Sequence, residues 1–347
     1  MNGNKRYLPL LLLGFSGVLT IFACRSRAIS KGNQSNNSGK TATAYRAFHP
    51  GSTWYDKAGD TINAHGGGFI FVNGKYYWFG EKRGRHASEG VNVYSSPDLY
   101  NWRWEALALA PDSTGASDIA NGCLMERPKV IFNQQTGKYV MWFHLELKGQ
   151  SYKAARAAVA VSNHVTGPYR FVSSFRPNNN MSRDMTLFVD DDGSAYQFYA
   201  SRENYDLRVT KLSADYLSAS PEDRLLFSQH REAPAIFKQN GTYYLVTSGC
   251  TGWTPNKATL HTSRSIWGPW QQVEANPLKG PGADSTFGGQ STFFLSVQNK
   301  KDAFIFIADR WNPRNLRDSR YLWLPVQFQN GEPFIEWKDE WNLQVFE

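Results

Sequence analysis

At 347 residues, 41% hydrophobic and 15% aromatic, the chain has material for one large core or two ordinary ones, with rings to spare for a pocket. Its formal charge of +8 is spread over 38 Lys and Arg and 30 Asp and Glu without a dense basic run, which argues against a nucleic-acid surface. Three cysteines are too few for a disulfide scaffold.

Lys5 and Arg6 precede an apolar run from Tyr7 to Ala23, the layout of a secretory signal. The ending "IFAC" resembles a bacterial lipobox, with a bulky Phe22, and predicts that residues 1–23 are removed and that Cys24 is lipidated. The competing reading is a single helix across a thinned bilayer. Residues 24–45 are rich in Ser, Asn, Gly and Lys, so they read as a flexible tether. With Cys24 as the anchor, Cys123 and Cys250 either pair or remain as thiols. The expected location is lipid-anchored, in the periplasm or on the surface of a bacterium, as a monomer touching the membrane only through its lipid.

From residue 46 onward, one grammar recurs five times: an apolar strand, a polar turn and an aromatic strand. The copies begin "GGFIFVNGKYYWFGE", "RPKVIFNQQTGKYVMWFHLE", "DMTLFVDDDGSAYQFYAS", "APAIFKQNGTYYLVTS" and "STFFLSVQNKKDAFIFIADR". Aligned on Tyr76, Tyr139, Tyr196, Tyr243 and Phe304, they are 63, 57, 47 and 61 residues apart, enough for four strands and their loops. Sustained helical spacing is nearly absent. The prediction is an all-β fold, a five-bladed β-propeller over residues 46–347, preferred to a pair of β-sandwiches that would not explain the repeat.

At the entry to each first strand stand "NAHGGG", "MERPKV", "MSRDMT", "HREAPA" and "GGQSTF". In a propeller these entries converge on the channel mouth and collect His65, Glu126, Asp184, Glu232 and Gln290. A single charge at a strand end is usually a solvated cap. Carboxylates gathered in one funnel raise one another's pKa instead, and a carboxylic acid kept protonated near neutral pH is what protonates a glycosidic oxygen.

The segments "ERPKVIFN", "SRDMTLFVDDDGSAY", "REAPAIFKQNGTYYLVTSGCTGW" and "GGQSTF" resemble glycoside hydrolase family 43, in its exo-β-1,3-galactanase branch, over nearly all of residues 60–345. The resemblance implies inversion at the anomeric carbon, with Glu232 as general acid, Asp184 tuning and orienting it, and Glu126 contacting substrate hydroxyls. Most of the family carries a general-base Asp in the first blade, where this chain has "NAHGGGFIF"; the galactanase branch shares that absence. Gln290, as an imidic tautomer within a relay or as a group that orients water while Glu126 takes the proton, is the leading replacement.

The same resemblance implies sugar contacts at Glu81, Arg127, Tyr152, Glu203, Asn204, Thr251 and Trp253, with Trp253 and Trp311 as stacking platforms or packed blade residues. His65 and His144 are candidates for holding a water or a cation, but no ligand spacing supports a metal, and no cofactor is expected. The expected partner is a polysaccharide or oligosaccharide, with arabinogalactan backbone as substrate. The alternatives are an α-L-arabinofuranosidase or β-xylosidase, and a sugar-binding propeller without catalysis.

Overall fold

A computed structural model describes residues 44–347. The expected signal, Cys24 and nearly all of the tether lie outside the described residues.

Blade one contains β1 (His65–Val72), β2 (Lys75–Arg83), β3 (Ser88–Ser96) and β4 (Arg103–Leu109). Blade two contains β5 (Leu124–Asn133), β6 (Lys138–Glu146), β7 (Arg156–Ser162) and β8 (Arg170–Phe175). Blade three contains β9 (Met185–Val189), β10 (Ala195–Ser201), β11 (Asp206–Leu212) and β12 (Ala219–Phe227). Blade four contains β13 (Arg231–Gln239), β14 (Thr242–Gly249), β15 (Thr259–Ser263) and β16 (Gln271–Val273). The short β17 (Leu278–Lys279) adds itself in parallel to the outer edge of blade five, which contains β18 (Gln290–Ser296), β19 (Phe304–Arg310), β20 (Arg320–Gln329) and β21 (Glu332–Glu336).

Every blade is an antiparallel meander, and the first strands touch in the cycle β1, β5, β9, β13, β18 and back to β1. That cycle makes the expected five-bladed propeller. The aligned Tyr76, Tyr139, Tyr196 and Tyr243 are each the second residue of their blade's second strand, and Phe304 is the first of its own.

Apolar side chains from facing blades fill the space between them in separate clusters. The seam between blades five and one is the most aromatic. Trp78, Trp102 and Trp323 are buried there with Phe48 and Trp341, and Phe48 stacks on Trp341 at 4.3 Å between ring centroids. Phe48 and Trp341 also exchange backbone hydrogen bonds of 2.7 and 3.2 Å. Tyr321 adds a polar stitch: its hydroxyl accepts from the Ala64 amide at 2.9 Å and donates to the Ile62 carbonyl at 3.0 Å.

Candidate active site

A repeated local distortion aims the site residues. The pairing of first and second strands slips between His65 and Gly68, Glu126 and Lys129, Glu232 and Ala235, and Ser291 and Phe293. In three of these bulges the residue after the strand-entry position has a left-handed backbone: Gly66 at φ +60°, Arg127 at +54° and Ala233 at +53°. Glycine adopts this freely, whereas Arg127 and Ala233 store about 1–3 kcal/mol each. The bulge bends the strand so that Glu126 and Glu232 face the axial funnel. Together with Asp184, Gln290, Trp253 and Trp311 they line a cavity of about 340 Å³.

On one side of this cavity, both Glu232 oxygens accept from amides. Gln290 Nε2 donates to Oε1 and Asn204 Nδ2 to Oε2, each at 2.9 Å. Burial, and then the Asp184 charge, raise the Glu232 pKa to about 7, with Arg127 opposing. As they stand, both amides present N–H groups to Glu232 and Gln290 Oε1 is already occupied, so unless the Asn204 amide turns, the proton of a protonated Glu232 is left for a ligand. Arg127 organises the surroundings: Nε pairs with Asp184 Oδ1 at 2.8 Å and the guanidinium donates to Gln290 Oε1 at 2.6 Å and to the Ser291 carbonyl at 2.8 Å. Gln290 is thereby fully engaged, since Nε2 also donates to Ser248 at 3.1 Å and Oε1 accepts from Trp311 Nε1 at 3.0 Å.

The opposite side is a buried chain of charges. Arg83 donates to Glu126 Oε1 at 2.7 Å and pairs with Glu81 at 3.0 Å, and Tyr152 donates to the same Glu126 oxygen at 2.8 Å. His144 Nδ1 lies 3.3 Å from Glu126 Oε2 while Nε2 meets Glu146 at 2.8 Å. Burial pushes the Glu126 pKa up, but Arg83, His144 and Tyr152 together hold it well below the usual carboxylate range. Glu81, less well compensated, is pushed up to about 7 by burial and by Glu126, with Arg83 opposing. Burial opposes charge on His144, yet Glu126 and Glu146 outweigh it and raise its pKa to about 9. Glu126, His144 and Asp184 offer atoms within 4.8 Å of one another, a cation-like spacing. A protonated His144 has no lone pair for a metal, and the two carboxylates are already paired with Arg83 and Arg127.

The family model for glycosyl hydrolases family 43 matches residues 63–333. The chain belongs to this family. Among solved members, a family 43 β-1,3-galactosidase with galactodeoxynojirimycin is 48% identical with a TM-score of 0.83, over 85% of this chain and 100% of that one. An exo-β-1,3-galactanase from Phanerochaete chrysosporium with β-1,3-galactotriose is 36% identical with a TM-score of 0.79, over 86% and 68% of the two chains. Among curated relatives, a xylan 1,3-β-xylosidase from a Vibrio species is 24% identical over 201 residues, 54% of this chain. The chain spans only 37% of that relative's length.

The fold brings Glu81, Glu126, Arg127, Tyr152, Asp184, Asn204, Glu232, Trp253, Gln290 and Trp311 to the cavity lining. Trp253 is 45% exposed and meets Trp311 edge to face at 5.8 Å, forming one rim. Three of the expected residues, His65, Glu203 and Thr251, stand off the lining. His65 is fully buried beneath the floor, stacked on Tyr321 at 5.2 Å, and its neighbour Gly66 takes the lining position. Glu203 turns outward to pair with Arg183, which itself lines the cavity. The Thr251 hydroxyl donates to the Thr254 carbonyl at 2.6 Å and so shapes the loop that carries Trp253. Cys123 and Cys250 are both free thiols. Sequence reasoning passed over Arg83, Glu146 and Asp309. Asp309 is buried under the floor and accepts from the Gly66 amide at 3.1 Å. Each stands at or near the end of a second strand, the position at which Glu81 was noticed.

Proposed function

We propose that the protein is an inverting, exo-acting hydrolase of β-1,3-linked galactan that releases galactose or short galacto-oligosaccharides. The observation that carries this reading is Glu232, held near a pKa of 7 with both oxygens oriented by amide donors, in one cavity with an ionised Glu126. Glu232 gives its proton to the glycosidic oxygen as the bond to the anomeric carbon breaks, and a water attacks that carbon from the opposite face. The solved relatives at 48% and 36% identity, a β-1,3-galactosidase and an exo-β-1,3-galactanase, support the linkage and the sugar.

Control of the water is assigned first to Gln290. To hold that water it exchanges one of its four present hydrogen bonds. One observation favours a second reading: Glu126 is already ionised and needs no change of tautomer to accept a proton. Product analysis on β-1,3-galactan and arabinoxylan side by side tests the substrate. Galactose released first in the α-configuration, by proton NMR, is expected; release of xylose or arabinose, or a β-configured product, overturns the reading.

The reading extends to location, with Cys24 lipidated and the propeller tethered in the periplasm or at the surface of a bacterium. Mass spectrometry of the purified protein is expected to find a lipid-modified Cys24 as first residue, and an intact Met1 contradicts it.

A further inference from the structure

A second cavity, larger than the catalytic one, opens elsewhere on the propeller. A cavity of about 700 Å³ lies on the shoulder of blade one, back to back with the catalytic cavity across the end of β2. Alternation along the strand divides the two: Glu81 and Arg83 face the catalytic cavity and Lys82 faces the shoulder. The loop after β19 is shared in the same way, giving Trp311 to the catalytic side and Asn315 and Arg317 to the shoulder. Asn63 forms part of the wall between them, exchanging hydrogen bonds of 3.0 and 2.9 Å with the Arg83 backbone.

The chemistry of the shoulder is that of a site for a neutral, hydroxyl-rich ligand. Trp104 lines it while 49% exposed and offers an indole face on which the apolar side of a sugar ring can stack. Its ring is fixed, because Nε1 donates to the buried Asn92 at 3.1 Å. Asp60 and Asn315 bond to the rest of the protein through their backbones, which leaves a carboxylate and an amide for hydroxyl groups. The lining charges cancel: Asp56, Asp60 and Asp318 stand against Lys82, Arg103 and Arg317. A balanced wall gives no net attraction to a polyanion. We infer that the shoulder cavity is a second saccharide-binding site, which takes a neutral glycan against Trp104. It lets the enzyme hold a polysaccharide outside the catalytic funnel, and its binding does not depend on which bond the funnel cleaves.

Affinity electrophoresis in native gels containing arabinogalactan tests this, with Trp104→Ala compared with its parent, both carrying Glu232→Gln so that polymer is not consumed. The expected result is retardation weakened about three- to tenfold, the loss of one stacked ring, while Trp104→Ala alone turns over a small aryl β-galactoside within about twofold of wild type. Unchanged retardation overturns the proposal, as does equal Trp104-dependent retardation by polygalacturonate. Should Trp104→Ala unfold at a lower temperature, Arg317→Ala replaces it and must show the same loss. A protein that leaves galactan uncut yet shows Trp104-dependent retardation refutes the proposed function and leaves this site standing.

Discussion

Replacing Glu232 with Gln separates the acid's chemical value from its structural cost. In the folded protein, burial and Asp184 raise its pKa from 4.5 to about 7. Between those values the folded chain holds a proton that the unfolded chain has lost, so stability falls as pH rises through that window. The rise corresponds to about 3 kcal/mol above pH 7, and screening by solvent in an open cavity leaves about 2 kcal/mol. Gln carries no charge and keeps the shape. Its new N–H meets the Asn204 amide, whose buried Oδ1 has no partner and can turn to accept it. Scanning calorimetry is therefore expected to show Glu232→Gln melting about 4 °C higher than wild type at pH 8 and within about 1 °C of it at pH 4.5. Turnover of galactan falls about 10²- to 10⁴-fold in the same variant. A gain of equal size at both pH values, or a lower melting temperature at pH 8, refutes the claim that a destabilised carboxylate is the origin of the effect.

His144 predicts a loss in the same direction over a higher window. Its pKa is raised from 6.5 to about 9, so its contribution is complete below pH 6.5 and disappears as pH climbs through 9. Urea unfolding of wild type is expected to lose up to about 3 kcal/mol between pH 6.5 and 9.5, and His144→Gln to lack that loss; parallel curves for the two proteins count against the buried ion pairs. For the water, Gln290→Ala is expected to turn over far more slowly with substrate binding largely kept, and to regain rate with azide as α-galactosyl azide. Azide rescue of Glu126→Gln and not of Gln290→Ala transfers the role to Glu126, and near wild-type turnover in Gln290→Ala removes Gln290 from it.

The blades were legible because the second-strand aromatics keep one place: Tyr76, Tyr139, Tyr196 and Tyr243 occupy equivalent positions and pack between blades. The convergence of Glu126, Asp184, Glu232 and Gln290 was legible for the same reason, since strand entries in a ring must meet. The bulges were not. Of the three left-handed residues only Gly66 carries a composition mark, while Arg127 and Ala233 look like ordinary strand residues. Nor was the compensation of charge. Arg83 reads as a solvated strand end until Glu126, 43 residues later, comes across from the next blade to meet it. Ion pairs between blades leave no local pattern, because each partner answers to its own strand.

The aromatic seam between blades five and one has a consequence for how the protein is made. Trp78 and Trp323 share one cluster although 245 residues separate them, and the Phe48–Trp341 latch spans 293. Blade one precedes the last blade along the chain, and its Trp78, Trp102 and Phe69 have nothing to cover them until blade five arrives. Holding chaperones are expected to engage this nascent chain at blade one more than at any later blade, and a circular permutant opened between blades two and three, with the 48 and 341 segments joined, would make the seam early and relieve that demand.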